Sequence, residues 1–213
     1  MTAAALLQAA RSLESTGNVG TSGNLSVRHT DPAQGPGMLI TPSGVPYEQL
    51  QEDALVFVDS EGAPRGRYAP SSEWRFHLAI YADRPDAGAV VHSHSPHATA
   101  LACLGRPLPA FHYEVAFAGG KDIRCAPYAT FGTEQISVNV LAALEGRRAC
   151  LIANHGAVCL GETMDKALFL ARELEQLARI YSLCLAMGEP KVLSDEEMAH
   201  VVEKFAAYGP REV

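Results

Sequence analysis

Apolar residues recur along the chain with two different spacings. From Thr163 to Met187, the positions Met164, Ala167, Leu168, Ala171, Leu174, Ala178, Tyr181 and Leu185 fall at three- and four-residue steps. That period predicts one long amphipathic helix with this stripe against a core. Weaker versions of the pattern predict helices over 3–15, 72–82, 96–103, 133–144 and 194–206. The last opens with "SDEE", where Ser194 can cap and the acids suit the positive end of the helix dipole. Between these segments lie short runs of strand character at 25–29, 37–41, 54–58, 87–93, 123–127 and 149–160. Strands and helices alternate irregularly, which predicts a layered α/β domain around a mixed or antiparallel sheet. No repeat, linker or low-complexity tract interrupts the 213 residues, so one domain over 1–213 is expected.

Composition narrows the function classes. With 47% hydrophobic and 19% charged residues, the chain can bury a sizeable core and does not read as disordered. The net charge is −7 and the lysines and arginines are scattered, which argues against nucleic-acid or membrane-surface partners. An anionic small substrate is compatible only if a few local groups offset that field. The five cysteines are widely spaced and form no C-x-x-C pair, so buried, reduced thiols in a cytoplasmic protein are expected. The opening "MTAAALLQAARSLE" reads as an amphipathic helix rather than a signal peptide. No apolar run approaches the roughly 20 residues of a membrane span.

Candidate chemistry gathers in "AVVHSHSPHATA", residues 89–100. His92 and His94 stand at i and i+2 after an apolar run, so on an extended chain both point to one face. They could share an ion or be ordinary hydrogen-bonded histidines, and a metal would require a third ligand from elsewhere. His155, in "LIANHGAVCL", is the best candidate, again beside a strand and before a glycine. His97 follows Pro96 into a helix and reads as support, as does His77, four residues after Glu73. His29, His112 and His200 have no context that favours chemistry.

In "YAPSSEWRFHLAIYAD", Ser71 or Ser72 can cap a helix with Glu73 in its first turn. A lone acid there is most simply a dipole-compensating residue, yet a hydroxylated helix start also suits a phosphate. "TSGNLS" (21–26) and "TPSG" (41–44) are similar small, hydroxylated turns. "GNVGTSGN" lacks the spacing and context of a dinucleotide loop.

These motifs together resemble the class II aldolase/adducin family. The matching residues are "TSGNLSVR" (21–28), "MLITPSGVPYEQL" (38–50), the segment 70–100, "CAPYATFGT" (125–133), "NHG" (154–156) and "LSDEE" (193–197). The resemblance implies a three-layer α/β/α sandwich with a central mixed, largely antiparallel sheet. It also implies a homotetramer with active sites between subunits. It implies one Zn2+ per subunit held by His92, His94 and His155, with Glu73 as acid/base and as a possible ligand when substrate is absent. It assigns substrate phosphate to Asn24, Ser43, Gly44, Ser71 and Ser72, aldehyde-proton handling to Tyr113, and an aldehyde pocket or lid to Phe131 and Tyr208. The implied reaction is reversible cleavage of L-fuculose 1-phosphate, or a 5-deoxy or 5-alkylthio relative, to dihydroxyacetone phosphate and L-lactaldehyde or a similar small aldehyde. There the metal acts as a Lewis acid on an enediolate. Ribulose-5-phosphate-type 4-epimerases carry Asp where this chain has Glu73, and adducin-like binding modules lose the histidines. Both are therefore the weaker readings.

Overall fold

The computed structural model describes residues 3–13, 17–18 and 21–206. Eight strands form one sheet: β1 (Asn24–Asp31), β2 (Gly35–Ile40), β3 (Val56–Asp59), β4 (Pro64–Arg65), β5 (Ala89–Ser93), β6 (Arg124–Ala126), β7 (Ala149–Ile152) and β8 (Gly156–Gly161). Their order is β4-β3-β2-β1-β5-β8-β7-β6. Every neighbouring pair is antiparallel except β6–β7, which is parallel. The helices are α1 (Ala3–Ser12), α2 (Trp74–Asp83), α3 (Pro96–Cys103), α4 (Glu134–Leu144), α5 (Met164–Met187) and α6 (Asp195–Ala206).

Side-chain alternation along the strands builds two cores. Leu25, Val27, Ala89, Val91, Leu151, Ala157 and Cys159 face the layer of α1, α3 and α5. Their sequence neighbours, among them Val90, Cys150, Ile152, Val158 and Leu160, join Phe76, Ile80, Ile136 and Val140 of α2 and α4 on the other face. A sheet covered on both sides must be apolar on both sides, which is why β5, β7 and β8 read as continuous apolar runs. The predicted α5 stripe is buried and extended by Leu170 and Leu177, with Leu185 packed at its edge. Each such leucine contributes about 1.5–3 kcal/mol by leaving water.

Four sequence expectations change. Of the five cysteines only Cys150 and Cys159, on the interior strands β7 and β8, are buried, whereas Cys103 is exposed and Cys125 and Cys184 are partly covered. The run 149–160 is not one strand but a β7–β8 hairpin, turned at Asn154 with φ 55°. The 72–82 helix starts at Trp74, so Glu73 occupies the N-cap position rather than the first turn. The 54–58 run begins as a 3-10 turn (Glu52–Ala54) and becomes strand only at Val56. Ser194 caps α6 as expected, its Oγ accepting from Glu197 N at 3.2 Å. Among the described residues, no helix is long and apolar enough to cross a membrane.

Candidate metal centre and adjoining cleft

Antiparallel pairing carries several chain segments to one end of the sheet. Asn24 opens β1 opposite His92 near the end of β5, while Ser93 pairs with Ala157 at the start of β8. The β7–β8 turn brings His155 to the same end. Just beyond β2, Pro42 bridges Pro70, and Ser43 N and Ser71 N donate to the carbonyls of Ala69 and Thr41. These bonds place the 41–44 turn against the 70–73 segment that leads into α2.

The convergence is tight. His92 Nε2 lies 2.9 Å from His94 Nε2 and 3.1 Å from Glu73 Oε2, and His155 Nε2 lies 3.1 Å from Glu73 Oε1. One donor atom from each of these four residues lies within 4.8 Å of every other. The contacts are close to the edge of a tetrahedron with bonds of about 2 Å. Local packing enforces this: the His92 ring meets Phe76 edge-on at 5.5 Å, and Asn18 Oδ1 accepts from His94 N at 2.7 Å. A Cβ on Gly156 would stand 2.4 Å from Ser93 O and 2.8 Å from His94 Cδ2, so the residue after His155 has to be glycine. A Cβ on Gly23 would stand 2.5 Å from His92 O, where the 21–23 turn crosses β5.

Lone pairs crowd this cluster. His92 Nδ1 is 2.9 Å from Ala157 O, a carbonyl that can only accept, so Nδ1 carries a proton and a neutral ring turns its Nε2 lone pair inward. That nitrogen faces a carboxylate oxygen and another imidazole nitrogen. Glu73 Oε1 is buried and close to His155, but not aligned for a hydrogen bond. Without an ion, burial opposes charge on Glu73, yet a protonated His92 and the contacts with His155 and His92 outweigh it and hold the carboxyl far below the usual range. Burial likewise opposes charge on His92, but Glu73 wins and raises its pKa. At His94, burial and then the charges of His92 and His155 lower the pKa to about 4. Converging acceptors, one of them orphaned, fit a cation held by three nitrogens and an oxygen, the donor set of zinc and similar divalent ions.

The cluster opens onto a cleft of about 310 Å³ lined by Thr21, Ser22, Gly23, Asn24, Pro42, Ser43, Gly44, Ser71, Ser72, Glu73, His94, Phe131 and His155. All five residues expected at a phosphate are therefore on its wall. The backbone N–H groups of Ser43 and Ser71 are already used, so these serines offer a ligand their hydroxyls. Asn24 is more engaged than the sequence suggested: Nδ2 donates to Glu73 Oε2 at 2.9 Å, and Oδ1 lies 2.6 Å from His77 Nε2. Thr21, Ser22 and Pro42 were not singled out individually, although their turns were. Among the described residues, no lysine or arginine lines the cleft.

Other candidates fall elsewhere. Phe131 is on the cleft wall and 63% exposed. Tyr113 is 48% exposed, in a 3-10 segment (Tyr113–Ala118) beside Phe205, and does not line the cleft of its own chain. Tyr208 lies outside the described residues. The backbone N–H groups of His97 and Ala98 donate to the Glu175 carboxylate, which ties the start of α3 to α5. His77, read as support, is fully buried behind the cluster.

Comparison with known proteins gives the same picture. The chain matches the Class II Aldolase and Adducin N-terminal domain over residues 4–182. It is 56% identical over 205 residues to the 5-methylthioribulose-1-phosphate/5-deoxyribulose-1-phosphate aldolase of Rhodospirillum rubrum, covering 96% of this chain and 90% of that protein. It is 53% identical over 195 residues to the L-fuculose phosphate aldolase of Escherichia coli (strain K12), covering 91% and 88%. The solved structure of an L-fuculose 1-phosphate aldolase superposes with a TM-score of 0.89 at 44% identity, covering 96% of this chain and 95% of that one. The fold is thus shared with a solved aldolase structure, and the chain, with its histidine–glutamate cluster at one end of the sheet, belongs to the class II aldolase and adducin family.

Proposed function

We propose that this protein is a zinc-dependent aldolase cleaving a ketose 1-phosphate reversibly to dihydroxyacetone phosphate and a small aldehyde. The substrate is L-fuculose 1-phosphate or a 5-deoxy or 5-alkylthio pentulose 1-phosphate. The carrying observation is the cluster of His92, His94, His155 and Glu73 opening directly onto a cleft walled by hydroxylated turns. Relatives above 50% identity named for both kinds of substrate support the range.

In this reading the three imidazoles would hold the ion, with Glu73 as a further ligand in the absence of substrate. A divalent ion there supplies Lewis-acid polarisation of the substrate's carbonyl and hydroxyl oxygens. Ser43, Gly44, Ser71 and Ser72, with the remaining N–H of Asn24, take the phosphate beside the start of α2, where the helix dipole favours an anion. Among the described residues no lysine or arginine lines the cleft, so within this chain the hydroxyls, backbone dipoles and the ion would meet the phosphate charge. Cleavage leaves the C3–C4 electron pair on C3 of the three-carbon fragment. Glu73 delivers a proton there and removes it in the reverse direction. Tyr113 of a neighbouring copy handles the proton of the aldehyde oxygen, and Phe131 and Tyr208 border the aldehyde. Exposure of Tyr113 beside Phe205 is consistent with a face that a second copy covers. The reading includes a single domain over 1–213, a homotetramer and a cytoplasmic location.

The test is release of dihydroxyacetone phosphate by purified protein across a panel of ketose 1-phosphates, with and without a chelator. Cleavage that stops on chelation and returns with zinc is expected. Failure to cleave any of them when metal-replete, or formation of an epimer instead, overturns the proposal.

A further inference from the structure

Behind the metal cluster, a line of buried polar side chains runs from the site between the sheet and α2, and its inner members His77, Ser26 and Tyr81 belong to neither the ligand set nor the cleft wall. It starts at Glu73 Oε2, which accepts from Asn24 Nδ2 at 2.9 Å. Asn24 Oδ1 is 2.6 Å from His77 Nε2, His77 Nδ1 is 2.7 Å from Ser26 Oγ, and Ser26 Oγ is 2.8 Å from Tyr81 Oη. All five residues are buried, with Ser26 and His77 completely so. Buried polar groups of this kind are costly unless each proton has a partner.

The charge at one end dictates every proton in the line. An ionised carboxylate can only accept, so Asn24 must turn its NH2 to Glu73 and its carbonyl oxygen to His77. His77 must then carry its proton on Nε2, leaving Nδ1 to accept. Ser26 has one hydroxyl proton and gives it to Nδ1, so Ser26 accepts from Tyr81. Turned over, the Asn24 amide would occupy the same volume but set a carbonyl oxygen against the carboxylate. The N–H of His77 adds to the carboxylate in favouring the first orientation and holds the Asn24 oxygen in place. Once the imidazole nitrogens are committed to an ion, Asn24 is the remaining hydrogen-bond donor to the Glu73 carboxylate among the described residues.

We propose that His77 is a positioning residue which, through Asn24, fixes the orientation of the Glu73 carboxylate. The effect on turnover rests on the aldolase reading above, whereas the orientation itself does not. The side chain acts without touching ion or substrate, as outer partners of metal sites commonly do.

Two variants separate positioning from packing. His77→Gln can place an amide N–H near the site of Nε2 and keep the bond to Asn24. His77→Asn reaches only the Nδ1 side and leaves Asn24 Oδ1 unpartnered. In zinc-loaded protein, His77→Asn is expected to lose about 10–100-fold in kcat with zinc content retained. Its KM should change by less than about threefold, and His77→Gln should recover most of the rate. Equal losses in both variants, following their loss of thermal stability, would reduce His77 to a packing residue and overturn the proposal. A second readout needs no activity: 15N NMR of the ring nitrogens in zinc-loaded wild-type protein without substrate. Protonation at Nε2 alone supports the proposal, and protonation at Nδ1 alone overturns it. If the wild type cleaves no ketose 1-phosphate, the functional reading fails while this measurement still decides the positioning role.

Discussion

Acid should destabilise the metal-free protein through His77, by an amount the structure allows to be worked out. The side chain is fully buried, and burial first, then the charge of His92, lowers its pKa from 6.5 to about 3. Between those values the unfolded chain binds a proton that the folded protein refuses, so stability rises with pH across the interval. The contribution is complete above about pH 6.5, declines as pH falls, and levels off only near pH 3. At about 1.4 kcal/mol per unit, the full shift corresponds to about 5 kcal/mol, of which about 3 kcal/mol is lost by pH 4. For a chain of this size that is about 6–12 °C in Tm. The assay is urea or thermal unfolding of chelator-treated protein between pH 7 and pH 4, comparing wild type with His77→Gln at one fixed protein concentration, because assembly would otherwise shift the curves. Gln does not titrate, so the difference between the two isolates His77 from Glu73 and His94. The stability difference between the proteins should change by about 3 kcal/mol over that range, with the wild type losing more. Parallel curves would show that His77 takes up its proton in the folded state and would refute the reasoning.

Three further outcomes follow from other contacts. Glu73→Gln should lower kcat by about 10²–10⁴-fold, the usual scale for a lost proton-transfer group, while metal analysis finds the ion still bound by the histidines. Gly156→Ala forces a methyl group to within 2.4 Å of Ser93 O and 2.8 Å of His94 Cδ2. It should cost about 1–3 kcal/mol in urea unfolding and weaken zinc binding in a competitive titration. Glu175→Ala strips the first amides of α3 of their charged acceptor and should cost about 1–3 kcal/mol, with activity retained in the fraction that stays folded.

Local regularities were legible from the chain alone wherever one short period decides the outcome. The α5 stripe predicted its buried face, because a 3.6-residue repeat needs no knowledge of what it packs against. Ser194 was readable as a cap because capping is settled within three residues. His92 and His94 could be placed on one face by strand alternation, though whether they met a metal stayed open. The β7–β8 hairpin was missed although Asn154, His155 and Gly156 interrupt the run: both arms are apolar because helices cover both sides of the sheet, so the two read as one strand. Glu73 was misplaced by one position for a similarly local reason, since a helix start blurs by a residue or two until its hydrogen bonds are known.

What the amino-acid order determined by itself was the set of elements, their buried faces, and a pair of histidines aimed together. What only the tertiary structure decided was which distant residues meet them. The antiparallel pairing of β5 with both β1 and β8 sets Asn24 and His155 beside His92 across separations of 68 and 63 residues. The packing of α2 on that face then drives His77 behind Glu73. Sequence periodicity reports which side of an element is covered, whereas register between strands is a property of the assembled sheet, and the chemistry of this site is a matter of register.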